Sequence, residues 1–116
     1  MKLIDIIVGA RPNFIKVASI INSLDAHSSA GGHLGYRLIH TGQHYNARMS
    51  SEFFDQLGIP EPDINFKVGS GTQTEQTGRI MAGYEKVLLT SNCDMCLVVG
   101  DVTSTMACAI TAQKFN

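Results

Sequence analysis

Apolar residues follow two rhythms along this chain. Residues 3–8, "LIDIIV", form an apolar run interrupted only by Asp5, the pattern of a strand covered on both faces, and Gly9 ends it. From Phe14 the apolar positions Phe14, Val17, Ile21 and Leu24 recur at three- and four-residue spacing, which predicts a helix reaching about Asp25. Residues 26–35, "AHSSAGGHLG", are small and turn-forming and read as a surface loop, after which "YRLIHTG" reads as the second strand.

The alternation continues. Met49, Phe53, Phe54 and Leu57 sit at helical spacing and close on Gly58, a helix-ending residue type, while Pro60 and Pro62 exclude regular structure beyond it. "INFKVGSGTQTEQTG" reads as a short extended piece and a Gly/Ser/Thr loop, with a helix starting between Thr74 and Thr77. Ile80, Tyr84, Val87 and Leu88 share one face of that helix, which runs to about Thr90. "MCLVVG" is a buried strand and residues 104–115 the last helix. No internal repeat or low-complexity tract is visible.

Strands alternating with helices at this spacing argue for parallel β units joined by right-handed crossovers. The expected fold is α/β, an open parallel sheet with helices on both faces. Ligands of such sheets bind beyond the carboxyl ends of the strands. Three polar turns then share one edge: residues 9–13, 41–45 and 100–103.

Composition narrows the partners. At 116 residues the chain is the size of one domain, 44% hydrophobic and 16% charged, too apolar to be disordered. A formal net charge of -1 gives no broad attraction to nucleic acid or to an anionic membrane, so an anionic ligand must be met locally. The first residues, "MKLIDIIVGARPN", carry a charge inside the apolar run and no small-residue cleavage pattern, which argues against a signal peptide, and no run approaches membrane-spanning length. Cys93 and Cys96 make a Cys-x-x-Cys, but no second pair or nearby His completes a metal set. The better reading of the three cysteines is buried thiols in a cytoplasmic protein.

The chemistry gathers at the three turns. In "VGARPNFIK", Gly9 permits a sharp turn, Pro12 suits a first helical turn, and Arg11 and Lys16 bring two cations to a helix N-terminus. Free backbone N–H groups and cations there suit a phosphate or diphosphate, although the two charges are equally readable as solvated surface. The pattern is neither the dinucleotide Gly-x-Gly-x-x-Gly nor the Gly-Lys-Ser/Thr phosphate loop. "HTGQHYN" places His40, Gln43 and His44 at or after the second strand, where they suit a sugar nucleotide or serve packing and surface alone. Asp101 follows a buried strand, as a helix cap or as a partly desolvated acid or base.

Five stretches, "VGARPNFIK", "TGQHYNARMSSEFF", "LGIPEPD", "VGSGTQTEQTG" and "LVVGDVTSTMACA", in this order and spacing, resemble the N-terminal half of the non-hydrolysing UDP-N-acetylglucosamine 2-epimerases. The resemblance runs almost end to end. It implies a glycosyltransferase-B type fold, two Rossmann-like domains with the sugar nucleotide in the cleft between them, of which residues 1–116 are part of the first. The C-terminal UDP-binding domain would lie outside this sequence. It further implies interconversion of UDP-GlcNAc and UDP-ManNAc by elimination of UDP to a glycal and readdition, with neither metal nor NAD, in the cytoplasm for cell envelope polysaccharide biosynthesis, and a homodimer for the full-length enzyme.

By the same resemblance Arg11 and Lys16 match the substrate-binding cleft cations and Asp101 the catalytic Gly-Asp carboxylate. Gln43 and His44 match a loop tied in bacterial members to a second, regulatory UDP-GlcNAc. Removing the charge of Arg37 is expected to matter little to the diphosphate. Ala10 and Asn13 stand where many members have Thr and Glu, which suggests a subgroup with its own sugar substrate. Family members continue beyond "AITAQKFN" into further carboxylates and the uridine-binding domain, so the chain alone is expected to be inactive. The alternative is a sugar-nucleotide-binding or regulatory module that pairs with another chain.

Overall fold

The computed structural model describes residues 2–9, 11–42, 55, 58, 62–99 and 103–115, with the side chains of 11–14, 103, 104 and 115 excepted. Along the chain run β1 (Lys2–Val8), α1 (Arg11–Ser29), β2 (Leu34–His40), β3 (Ile64–Asn65), α2 (Gln73–Thr90), β4 (Met95–Leu97) and α3 (Thr103–Phe115). The four strands form one sheet in the order β3-β2-β1-β4, and every described pairing is parallel.

Strand alternation distributes the core over two faces. Ile6, Val8 and Leu38 point to one face, where they pack with Val17 and Ile21 of α1. Ile7 and Ile39 point to the other and meet Ile80, Tyr84 and Leu88 of α2 and Ala107 and Cys108 of α3. Each fully buried aliphatic side chain in such a core stabilises by about 1.5–3 kcal/mol. The expected open parallel sheet with helices on both faces is therefore what forms. Among the described residues no helix is long and apolar enough to cross a membrane.

Element ends differ from the sequence reading in instructive ways. The first helix continues past Asp25 to Ser29, taking in the first four residues of the expected loop, because its stop signal is Gly31. That residue takes φ 88°, and the N–H groups of Gly31 and Gly32 return to the carbonyls of Ser28 and His27 in the bonding pattern of a glycine-closed helix. The next strand accordingly starts at Leu34, before Tyr36. α2 starts at Gln73 because Thr72 and Glu75 form a reciprocal cap: Thr72 Oγ1 accepts from the Glu75 N–H and a Glu75 carboxylate oxygen accepts from the Thr72 N–H, both at 3.1 Å. These bonds hold the Glu75 carboxyl below its ordinary range.

The helix expected around Met49 to Leu57 lies outside the described residues apart from Asp55, which is helical. Gly58, with φ 69°, donates its N–H to the Asp55 carbonyl as a helix-closing glycine does.

Asp5, which interrupts the first apolar run, is fully buried beside Arg37 on the α2 side of the sheet. Arg37 Nε and Nη2 donate to its two carboxylate oxygens at 2.7 and 2.8 Å, and the Tyr84 hydroxyl donates to Oδ2 at 2.9 Å. Since the single phenolic proton goes to Asp5, the Cys93 thiol, 3.6 Å away, donates to the phenolic oxygen. Arg37 Nη2 also donates to the Ser91 carbonyl at the end of α2. Arg37 is thus a structural ion-pair residue, which the sequence reading did not foresee.

Cys108 is fully buried, Cys93 and Cys96 are half-buried, and all three are free thiols. Burial raises each of their pKa values, that of Cys96 to about 11. The thiols are therefore weakly nucleophilic at neutral pH.

Candidate functional site

Sheet order locates the crevice. The chain passes from β1 to β2 to β3 in one direction and then returns to place β4 on the far side of β1, with α1 on one face and α2 and α3 on the other. The topological switch point is thus between β1 and β4, where open α/β sheets bind ligands at the carboxyl ends of the strands. The parallel register pairs Val8 with His40, so β1 and β2 end at one level, and Ile6 with Leu97, so β4 ends two residues short of it.

From the end of β1, Gly9 leads into α1, whose first residue is Arg11. The first-turn N–H groups of a helix lack intrahelical acceptors and carry the positive end of its dipole. Lys16 lies on α1 with an exposed side chain. On the other side of the switch point, Thr105 Oγ1 donates to the Val99 carbonyl at 2.8 Å and fastens the start of α3 to the end of β4. Asp101 falls in sequence between Val99 and Thr103 and lies outside the described residues, as do Gln43 and His44. The described residues thus place the end of β1, from which the chain leads into α1, beside β4, the strand that precedes Asp101 in sequence.

The turn after β2 is the best-defined part of this edge. The Thr41 N–H donates to the Val8 carbonyl at 3.0 Å, joining it to β1. The carbonyls of His40, Thr41 and Gly42 accept from the N–H groups of Phe66, Val68 and Gly69 at 2.9, 3.1 and 2.8 Å. Gly42 takes φ 81°, and a Cβ there would come within 2.7 Å of Asn65 Oδ1 and of the Lys67 backbone, so glycine is required both by conformation and by space. His40 itself is 4% exposed, with Nδ1 accepting the Gly42 N–H at 2.7 Å. The following loop is held from α2: Arg79 Nη1 donates to the carbonyls of Val68 and Ser70, each at 3.1 Å, and Gln76 Nε2 to that of Gly69 at 2.9 Å.

Sequence reasoning did not find the loop-holding roles of Gln76 and Arg79. A signal was present in "VGSGTQTEQTGR", where a glycine-rich turn precedes long donor side chains one and two helical turns into the next helix. Among the described residues no group of three or more His, Cys, Asp or Glu could hold a metal ion.

A parallel sheet in this strand order, with helices on both faces, defines an open α/β domain of the Rossmann-like class. Comparison with known proteins makes this specific. The family model described as UDP-N-acetylglucosamine 2-epimerase matches residues 26–116. Over all 116 residues the chain is 42% identical to a UDP-N-acetylglucosamine 2-epimerase homolog of Methanococcus maripaludis, covering 30% of its length. It is 40% identical to the UDP-2,3-diacetamido-2,3-dideoxy-D-glucuronate 2-epimerase of Pseudomonas aeruginosa, covering 31% of its length.

The crystal structure of the Methanocaldococcus jannaschii UDP-GlcNAc 2-epimerase in complex with UDP-GlcNAc and UDP superposes with a TM-score of 0.86 at 40% identity, over 99% of this chain and 30% of that one. This chain belongs to the UDP-N-acetylglucosamine 2-epimerase family. It spans about 30% of the length of these relatives.

Proposed function

We propose that this chain is the N-terminal part of a sugar-nucleotide 2-epimerase of the glycosyltransferase-B type, contributing one wall of the cleft that holds the UDP-sugar. The observation that carries the reading is the end-to-end match, 40% identical with a TM-score of 0.86, to an epimerase whose crystal structure holds UDP-GlcNAc and UDP. Residues 1–116 form part of the first Rossmann-like domain, and the UDP-binding domain is supplied by a further segment.

In this reading Arg11, Lys16 and the free N–H groups of the first turn of α1 bind the diphosphate and stay with it as UDP departs. Charge-assisted contacts to a leaving diphosphate stabilise the charge that develops on it. Asp101, next to the switch point in sequence, exchanges or stabilises a proton at the reacting sugar. Gln43 and His44 belong to a loop that meets a second UDP-sugar. The complete enzyme is a homodimer, and a chain without the opposite wall does not turn over, since the reacting groups need positioning from both sides.

A second reading of the substrate comes from the Pseudomonas aeruginosa relative, whose sugar is a diacetamido-glucuronate rather than GlcNAc. Both readings are tested together by incubating the complete polypeptide with each UDP-sugar in deuterated water and following proton NMR. Conversion of UDP-GlcNAc to UDP-ManNAc with deuterium appearing at sugar C2 is the expected result. Conversion of the diacetamido-glucuronate alone would reassign the substrate, and conversion of neither would overturn the proposal.

A further inference from the structure

The chain turns twice in the same way on neighbouring strands. His40 and Asn65 are register partners in the β2–β3 pairing. Asn65 Oδ1 accepts the N–H of Lys67, two residues on, at 2.8 Å, and His40 Nδ1 accepts the N–H of Gly42, also two residues on, at 2.7 Å. The first is an Asx-turn; the second is its imidazole counterpart, because Nδ1 of His and Oδ1 of Asn are both attached at Cγ. Each turn places a residue in the left-handed region, Lys67 at φ 53° and Gly42 at φ 81°, and the two are packed against each other at Gly42.

We propose that His40 is a positioning residue of the candidate site: its neutral imidazole, with the hydrogen on Nε2, holds the Gly42 N–H and fixes the turn that closes β2 at the carboxyl edge. Nδ1 can accept a hydrogen bond only through its lone pair, which sets the tautomer. The imidazole is buried, so loss of that acceptor strands a backbone donor at a turn already bonded to β1 and to residues 66–69. A side chain chosen only for packing at this position would be apolar, like Leu38 two residues earlier on the same face. The inference rests on the proposed function only for its kinetic readout.

The test uses the complete polypeptide. In the wild type, nitrogen-15 NMR of His40 should show an unprotonated Nδ1 and a protonated Nε2, and the Gly42 amide should exchange slowly with solvent. A protonated Nδ1 or a rapidly exchanging Gly42 amide would overturn the proposal whether or not the protein turns over a UDP-sugar. His40→Phe keeps the ring and removes the acceptor. It should speed Gly42 exchange and raise the half-saturating UDP-sugar concentration about tenfold, as expected for an unpaired buried donor, with kcat changed less than KM. His40→Asn restores an acceptor on Cγ and should return both readouts to within about threefold of wild type. If Phe and Asn behave alike, packing alone is at work and the proposal fails. If the wild type shows no turnover, the proposed function falls, and the NMR arm still decides the role of His40.

Discussion

Asp5 and Arg37 stand opposite one another in the β1–β2 register and are joined by two parallel hydrogen bonds, Nε to Oδ1 at 2.7 Å and Nη2 to Oδ2 at 2.8 Å. Asp5 is wholly buried and the Arg37 side chain 14% exposed, so the carboxylate is cut off from bulk water and the guanidinium reaches it only in part. Such a pair adds little over a well-packed apolar pair, but removing one partner leaves a buried charge alone. Through Tyr84 and the Ser91 carbonyl the same cluster fastens α2 to the sheet at a distance from the carboxyl edge.

Arg37→Ala should therefore destabilise the protein by about 3 kcal/mol, the cost of breaking a buried ion pair, and Tyr84→Phe by about 1–2 kcal/mol, both read from urea unfolding. Burial also holds the Tyr84 phenol far above its ordinary pKa. An Arg37→Ala protein that unfolds at the wild-type urea concentration would show that the pair is dispensable. Arg37 is for the same reason unsuitable as a neutral control in tests of the cleft, a role for which the exposed Lys86 serves.

Alkaline pH should loosen the fold by a separate route. Burial raises Cys96 from 9.0 to about 11, and burial followed by hydrogen bonding to Asp25 raises Tyr36 from 10.0 to about 12. Both groups bind their protons more tightly in the folded state. Their stabilisation is complete below the unfolded pKa values and is lost as pH rises through the folded ones. The urea midpoint should thus be flat near neutrality and fall above about pH 9, and Cys96→Ala should make the fall between 9.0 and about 11 shallower. An unchanged profile in that variant would remove Cys96 from the account.

Much of the fold is legible in the sequence because burial imposes periodicity. Val17, Ile21, Ile80, Tyr84 and Leu88 all lie where helical spacing put them, and "LIDIIV" is a strand covered on both faces. What resisted reading were features set by a single residue or by a distant partner. The end of α1 depends on the φ of Gly31 rather than on the last apolar position. The start of α2 depends on a reciprocal bond between Thr72 and Glu75, written as T-x-x-E just ahead of the expected start between Thr74 and Thr77.

Asp5 and Arg37 are 32 residues apart, and only strand register makes them partners. At the candidate site, the shared carboxyl edge follows from the alternation of strands and helices, whereas the switch point is set by the strand order of the sheet. The pairing of Gly42 with residues 65–69 depends on two left-handed residues, one of them Lys67, whose type does not announce that conformation.

Arg11→Ala and Lys16→Ala, made in the complete polypeptide, should each lower kcat/KM for the UDP-sugar by about tenfold or more, whereas Lys86→Ala should leave it unchanged. A charge-assisted contact to a diphosphate is worth roughly 1.5–3 kcal/mol, and each 1.4 kcal/mol is tenfold in rate or binding. UDP should also bind more weakly to both cleft variants, measured by titration calorimetry, because the contact outlasts the carbon–oxygen bond. Wild-type kinetics in both would mark them as solvated surface charges.

Asp101→Asn separates the two roles that a carboxylate can fill between a buried strand and a helix. Asn is as good a helix cap as Asp and nearly the same shape, so a purely structural Asp101 would survive the change. Asn cannot exchange a proton or place a negative charge beside the reacting sugar. A positioned acid or base contributes about 100- to 10,000-fold in rate. The expected outcome in the complete polypeptide is an unchanged melting temperature with turnover reduced at least about 100-fold. Deuterium exchange into sugar C2 should fall with it, since in the proposed reaction proton removal at C2 and UDP departure belong to one sequence. A variant that melts like wild type and turns over within about threefold of it, too small a loss for proton transfer, would assign Asp101 to capping alone.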